Sequence, residues 1–458
     1  MAVKRIRNTD KAWEILEDKY HILDAIDRDG TFEISAQQIK QAQDLVPKTQ
    51  VNLEPRLITK YDTTASMPHL FQENNLSLLP TAHGQYLIGK FRTFHVLENV
   101  PGPIQHFRMP HRIESLGLDG YDNLSEDTAM AVAYASGMVE DFMGDSGRVY
   151  PSVYGRSRSK QFEFSIRLAD GGITTLSVDR CQIEIDWSGE SAQSLMLVEA
   201  KAHFPNEFMV RQLYYPYRKF ADRMRKPVRP TFMAYSQGVY TFWEYQFVRP
   251  REYSSLRVVN ARRYSIHPAR LTMSDLMEVW GKTPVDEEGP FAFPQADSVE
   301  RTLDLILFLG EPNADGRLGK STAEIGEHYK FTSRQGGYYN LVLRYLGLSC
   351  EASTPHRYRL TDLGEQYLDA DPHERTLIVY RQLVGKPTFR KLIQMSLEKG
   401  APPPREAISD VLRELSTIGE SSEVLRRRAS TARAWCQWVL DNATDSQRRR
   451  VDRARLRW

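Results

Sequence analysis

The decisive stretch is Gln182-Ile183-Glu184-Ile185-Asp186-Trp187-Ser188-Gly189-Glu190-Ser191-Ala192-Gln193-Ser194-Leu195-Met196-Leu197-Val198-Glu199-Ala200-Lys201. Its first part, to Trp187, reads as a strand. Ser188 and Gly189 to about Ser194 form a polar, turn-rich connection, and Leu195–Val198 is a short apolar run suited to a buried strand. Two antiparallel strands follow from this order. Side chains alternate across a strand, so Glu199 and Lys201 share one face and Ala200 takes the other. Antiparallel pairing brings Asp186 toward Glu199. Two carboxylates held together repel, and a Mg²⁺ ion relieves that repulsion because it prefers oxygen ligands and keeps several waters. A lysine beside such an ion can orient or deprotonate an attacking water while the metal stabilises charge growing on a phosphate.

This pattern resembles the PD-(D/E)XK nuclease superfamily, with type II restriction endonucleases as its specific form. Asp186 matches the first acid and Glu199-Ala200-Lys201 the E-x-K element; Ile185, not proline, precedes Asp186. The resemblance implies that Asp186 and Glu199 bind Mg²⁺, with Mn²⁺ as a substitute. It also implies that the Ala200 backbone carbonyl is a further ligand and that Lys201 supports the nucleophilic water. Glu140 or Asp141, at the end of the preceding helix, is the candidate helix acid. Glu184 is a rival first acid, since a regular hairpin register sets it closer to Glu199; Asp186 then requires a bend or bulge. Glu17-Asp18-Lys19 also fits E-x-K, within a predicted helix, so the context carries the specificity. His203 lies on the same face and reads as a structural residue.

Working outward, residues 10–27 read as one helix on the spacing of Trp13, Leu16, Tyr20, Leu23 and Ile26, and 35–43 as a second. Strands are expected near 86–88 and 91–97, and Pro101-Gly102-Pro103 marks a boundary. Residues 126–143 read as a helix. Strands follow at 162–168, 173–178, 182–187 and 195–200, a helix at 207–224, and strands at 231–235, 240–247 and 255–259. This is an α/β (α+β) pattern. After Pro284 the chain becomes mostly helical. The expected domains are 1–105, mixed α/β with a candidate DNA-reading role; 106–285, the nuclease core; 286–375, a winged helix; and 376–458, a helical module with a basic tail.

The stretch after Lys201 is basic and aromatic. Arg211 and Arg218 are candidate phosphate contacts, as are Arg156 and Arg158, with Lys160, in an upstream loop. Gln212 resembles the glutamine of a downstream helix motif in some relatives, although Pro216 departs from the usual Q-x-x-x-Y spacing. Residues 298–365 resemble a winged helix, with helices from Thr302 to Leu309, from Ser321 to Tyr329, and from Ser333 onward, then a wing strand from Tyr358. The start of the second helix of such a helix-turn-helix meets base edges, which selects Arg334, Gln335, Tyr338 and Asn340. Arg448, Arg449, Arg450, Arg453, Arg455 and Arg457 form a basic tail.

Composition narrows the alternatives. The net charge is +2 over 458 residues, so any basic surface is local. Cys181, Cys350 and Cys436 are far apart and form no C-x-x-C pair, which argues against structural zinc and for a reducing compartment. The first residues show no apolar signal-peptide core, and no run approaches the roughly 20 residues of a membrane span; a cytoplasmic protein with no membrane association is expected. No G-x-x-x-x-G-K-[ST] loop and no methyltransferase motif occurs. A restriction role therefore needs a separate methyltransferase partner, and double-strand cleavage of duplex DNA suggests a homodimer. The competing readings are a repair or defence nuclease and a non-catalytic winged-helix regulator.

Overall fold

The computed structural model describes residues 7–100, 104–107, 124–266, 271–286, 293–296, 298–313, 317–329, 332–370, 372–415 and 422–443. Pro101-Gly102-Pro103 and the arginine tail from Arg448 to Arg457 lie outside the described residues. The architecture is mixed α/β, with a curled sheet and a helical C-terminal part.

The first unit is a three-stranded antiparallel sheet in the order Thr31–Ser35, Gln85–Gly89, Ser77–Ala82, covered by short helices. Trp13, Leu16, Ile34, Phe71 and Ile88 meet in its core. The helix expected over 10–27 is two helices, Asn8–Tyr20 and Ile22–Asp29. His21 adopts a left-handed φ of 50° between them. The Glu17 carboxylate accepts the Leu23 N–H at 3.1 Å, satisfying a donor that the second helix would otherwise leave open.

The central unit is a seven-stranded sheet. Its order is Gln105–His106, Leu256–Ser265, Val239–Phe247, Val228–Ser236, Leu195–Lys201, Trp187–Glu190, Tyr150–Pro151. Leu195–Lys201 runs parallel to Val228–Ser236 and antiparallel to Trp187–Glu190. A parallel pair needs a crossover, and helix Arg211–Ala221 lies within it. The apolar run is buried on both faces, as its lack of alternation requires. Met196, Val198 and Ala200 pack with helices Glu126–Ala135 and Met138–Met143. Leu195 and Leu197 pack on the opposite side with Leu213, Tyr214 and Tyr215. The helix expected over 126–143 breaks at Gly137, whose φ of 88° suits only glycine readily.

The C-terminal part begins with helix Met273–Lys282, which packs in the helical core rather than on the sheet. Helices Val299–Gly310, Thr322–Tyr329 and Ser333–Tyr345 follow, with a small antiparallel sheet in the order Lys320–Ser321, Arg357–Leu360, Ser349–Glu351. Helices Pro372–Val384, Pro387–Lys399, Arg405–Leu415 and Ser422–Asn442 complete it. No described helix is long and apolar enough to cross a membrane.

A polar lock joins the sheet to these helices. The turn between strands Val228–Ser236 and Val239–Phe247 presents Ser236, whose hydroxyl donates to Asp304 at 2.7 Å, and Gln237, whose amide donates to the Leu303 carbonyl at 3.1 Å. Tyr367 donates to Gln237 at 3.2 Å. Burial raises the Asp304 carboxyl above its usual value, opposed by hydrogen bonds from Ser236 and Tyr329. A raised folded-state value contributes stability that is full in acid and is lost as pH rises through that value. Asp304→Asn is therefore expected to gain melting temperature relative to the parent as pH rises from acid toward neutral. The difference should then level off once Asp304 is ionised. Parallel melting curves at all pH values would show that this carboxyl does not carry the cost.

Candidate active site

Asp186 occupies a break between two strands. Gln182–Ile185 pairs with Gly155–Arg158, whereas Trp187–Glu190 pairs with Leu195–Lys201. The chain thus changes sheets at Asp186, which supplies the required bend. It also corrects the expected connection: the second of these strands continues through Glu190, so the turn is shorter than Ser188 to Ser194. With Trp187 opposite Val198, the next residue back lies beside Glu199, and the Asp186 carboxylate accepts the Ala200 N–H at 2.8 Å. Glu184 is diverted to the other sheet, where it sits opposite Arg156 and pairs with it at 3.0 Å.

Glu199 is 5% exposed. The Lys201 ammonium donates to Glu199 Oε1 at 2.6 Å and to the Ala200 carbonyl at 3.0 Å, and lies 3.8 Å from Glu126. Gln212, near the start of helix Arg211–Ala221, donates to the same Glu199 oxygen. Its own carbonyl oxygen is buried without a protein partner. Burial pushes the Glu199 carboxyl up to about 7; Lys201 opposes this, while Asp186 and Glu126 add repulsion. Burial would lower the Lys201 ammonium, yet Glu199, Glu126 and Asp186 hold it above the usual lysine value. The site therefore has a strong demand for positive charge, met in this structure by one ammonium.

Of the acids on these two helices, the structure brings Glu126, not Asp141, next to Lys201. Asp141 accepts hydrogen bonds from Arg262 at 2.9 Å and Tyr264 at 2.7 Å, and Glu140 lies beside it on the helix that follows the Gly137 break. The acid beside Lys201 is Glu126, first residue of its helix. Burial raises its carboxyl, with Lys201 opposing. The available signal was Ser125 as N-cap, accepting the Thr128 N–H at 3.2 Å, followed directly by acids. Asp62, from the N-terminal unit, adds to the negative field at Glu126.

Among the described residues, no three His, Cys, Asp or Glu side chains form a preformed metal group. A cation here would be held by Asp186, Glu199 and the Ala200 carbonyl, with waters completing its shell. That donor set suits Mg²⁺, which usually binds through one or two carboxylates rather than an all-protein cage. The oxygens of Glu199 and Ala200 that hold the ammonium, and the unpartnered Gln212 oxygen, fit a hydrated cation. His203 lies half-buried in the turn after the strand.

The expected DNA contacts divide. Arg156, Arg158 and Arg334 are exposed, and Tyr338 is half-buried, with Arg334 donating to its hydroxyl at 2.8 Å. Arg218 is buried, donating to the Glu163 carbonyl at 2.9 Å and packing over Phe162, so it cannot serve as a surface phosphate contact. Asn340 is also buried, accepting from Ser349 at 3.0 Å, because it lies on the core face of its helix. Gln335 caps its own helix through Thr332. Arg211 is half-buried, with its guanidinium over Tyr215.

Sheet, flanking helices and cluster define a mixed α/β unit with paired carboxylates and a lysine at a strand end. Three domain families match the chain, each described as a domain of unknown function: DUF6996 over residues 10–88, DUF6997 over 89–265 and DUF7226 over 306–444. Glu126, Asp186, Glu199, Lys201 and Gln212 all fall within the second. No curated protein and no solved structure matches the chain.

Proposed function

We propose that this protein is a Mg²⁺-dependent endonuclease that hydrolyses phosphodiester bonds of double-stranded DNA, in the specific form of a type II restriction enzyme. The observation that carries the reading is the convergence of Asp186, Glu199 and Lys201, with Glu126 and Gln212 around them, on one strand end. A divalent cation bound there, Mg²⁺ or Mn²⁺, supplies Lewis-acid stabilisation of charge on the phosphate. Asp186 is held in place by the Ala200 N–H, so its free oxygen is preoriented. Gln212 fixes the Glu199 rotamer. Lys201 positions the attacking water and holds or moves its proton. The PD-(D/E)XK core is supported by the parallel strand pair flanked by helices on both faces.

The three helices and small sheet from Val299 to Leu360 support a winged-helix reading of the following unit, with Arg334 and Tyr338 at the exposed start of its last helix. A nuclease core joined to a separate reading unit suits site-specific cleavage. That activity calls for a homodimer during double-strand cutting and a separate methyltransferase that protects host DNA. The test is incubation with long unmodified duplex DNA and Mg²⁺. Discrete bands are expected, absent with EDTA; a smear would replace the restriction reading with a nonspecific nuclease, and intact methylated, branched and unmodified DNA would defeat the nuclease reading.

A further inference from the structure

Beside Asp186 runs a rim that the cleavage chemistry does not use. Among the described residues, the large apolar side chains that stand exposed include only two aromatic ones, Tyr150 and Tyr154, at 58% and 72%. Two tyrosines left in water within five residues forgo the stabilisation that burial of an aromatic ring supplies. The segments that carry them adjoin the two strands that meet at Asp186. Tyr150 sits opposite Glu190 on the sheet's edge strand, and Tyr154 precedes Gly155, which sits opposite Ile185, the neighbour of Asp186. The Arg148 guanidinium lies 5.3 Å from the Tyr150 ring centroid. Arg156 and Arg158 alternate along strand Gly155–Arg158, so they share a face; Tyr154 lies just before that strand, across Gly155 with its φ of 82°, and all three side chains are exposed.

We propose that this ribbon binds unpaired nucleotides of the DNA strand next to the bond that is cut, with bases stacked on Tyr150 and Tyr154 and phosphates on Arg148, Arg156 and Arg158. The proposal rests on the nuclease reading and names the state of its substrate at the cut. Cations alone suffice to hold a duplex backbone. Aromatic faces interleaved with cations match a single strand, whose bases present open π-faces. A duplex must open or extrude a nucleotide to offer such a face.

The test uses the full chain in EDTA, so no cleavage is read. Affinity is measured by fluorescence anisotropy for one mixed-sequence oligonucleotide as a single strand, a perfect duplex, and a duplex with a central unpaired bubble. The single strand and the bubble are expected to bind more tightly than the duplex. The Tyr150→Ala/Tyr154→Ala double variant, which removes two stacks, should weaken both by about 30-fold or more and leave the duplex nearly unchanged. The Tyr150→Phe/Tyr154→Phe variant, which keeps the ring faces, should retain parental affinity. Both rings are exposed, so an unchanged melting temperature verifies the fold. Unchanged bubble binding in the alanine variant, or an equal loss on all three DNAs, would overturn the proposal. Because binding is scored without metal, an inactive nuclease still tests the ribbon, and an active nuclease with an indifferent ribbon sinks only the ribbon.

Discussion

Glu199→Ala and Lys201→Ala are each expected to slow metal-dependent DNA cleavage by about 10²–10³-fold or more, the scale for loss of one group that stabilises transition-state charge. Their binding behaviour should differ. Glu199 anchors Gln212 and Lys201, and in the proposed site its buried oxygen would be a metal ligand. Its removal should therefore weaken Mn²⁺ binding, read by electron paramagnetic resonance. Lys201 instead occupies the Glu199 and Ala200 oxygens with its own ammonium. A cation competes with it for those atoms, so Lys201→Ala should bind Mn²⁺ at least as tightly as the parent while remaining inactive. An active Lys201→Ala enzyme would remove lysine from the proposed chemistry. Equal Mn²⁺ affinity in the parent and Glu199→Ala would move the metal elsewhere.

Arg301→Met should destabilise the protein by on the order of 3 kcal/mol and reduce cleavage as well. Arg301, 7% exposed, extends from helix Val299–Gly310 to the segment just beyond Lys201. It donates to the Phe204 carbonyl at 3.2 Å, the Pro205 carbonyl at 2.8 Å and the Tyr339 hydroxyl at 3.2 Å. Methionine preserves much of the stem but leaves two backbone carbonyls without this donor. The loss falls on the joint between helix Val299–Gly310 and the turn that follows strand Leu195–Lys201. Calorimetry should show earlier melting, and cleavage below the melting range should fall because the turn after Lys201 loses its anchor. A variant with unchanged melting would mean that water replaces the guanidinium at little cost.

What the sequence disclosed follows from the range of each signal. The apolar run Leu195–Val198 and the E-x-K spacing are local, and the strand they specify is present with Glu199 and Lys201 on one face. Asp186 was legible by its spacing, but its placement depends on the chain changing sheets there, which involves the distant partner Gly155–Arg158. The helix over 126–143 hid its break because Gly137 sits inside an otherwise periodic pattern, so nothing in the pattern set Glu126, at the start of the first helix, apart from Glu140 and Asp141 on the second. Asn340 and Arg218 are polar by type and buried by fold. Their partners, Ser349 and the Glu163 carbonyl, are set by packing that a helix-start rule does not contain. The Arg301 and Asp304 joints were invisible because both ends become neighbours only after the sheet and helices dock.

The most direct test of the central claim is nicking and linearisation of a supercoiled plasmid carrying a cleavage site, with parent and Lys201→Ala proteins side by side, each with Mg²⁺ and with EDTA. Conversion by the parent with Mg²⁺ alone, and none by the variant in either condition, is the predicted result. Conversion by Lys201→Ala at the parental rate, or by the parent in EDTA, would contradict a metal-dependent phosphodiesterase at Asp186, Glu199 and Lys201.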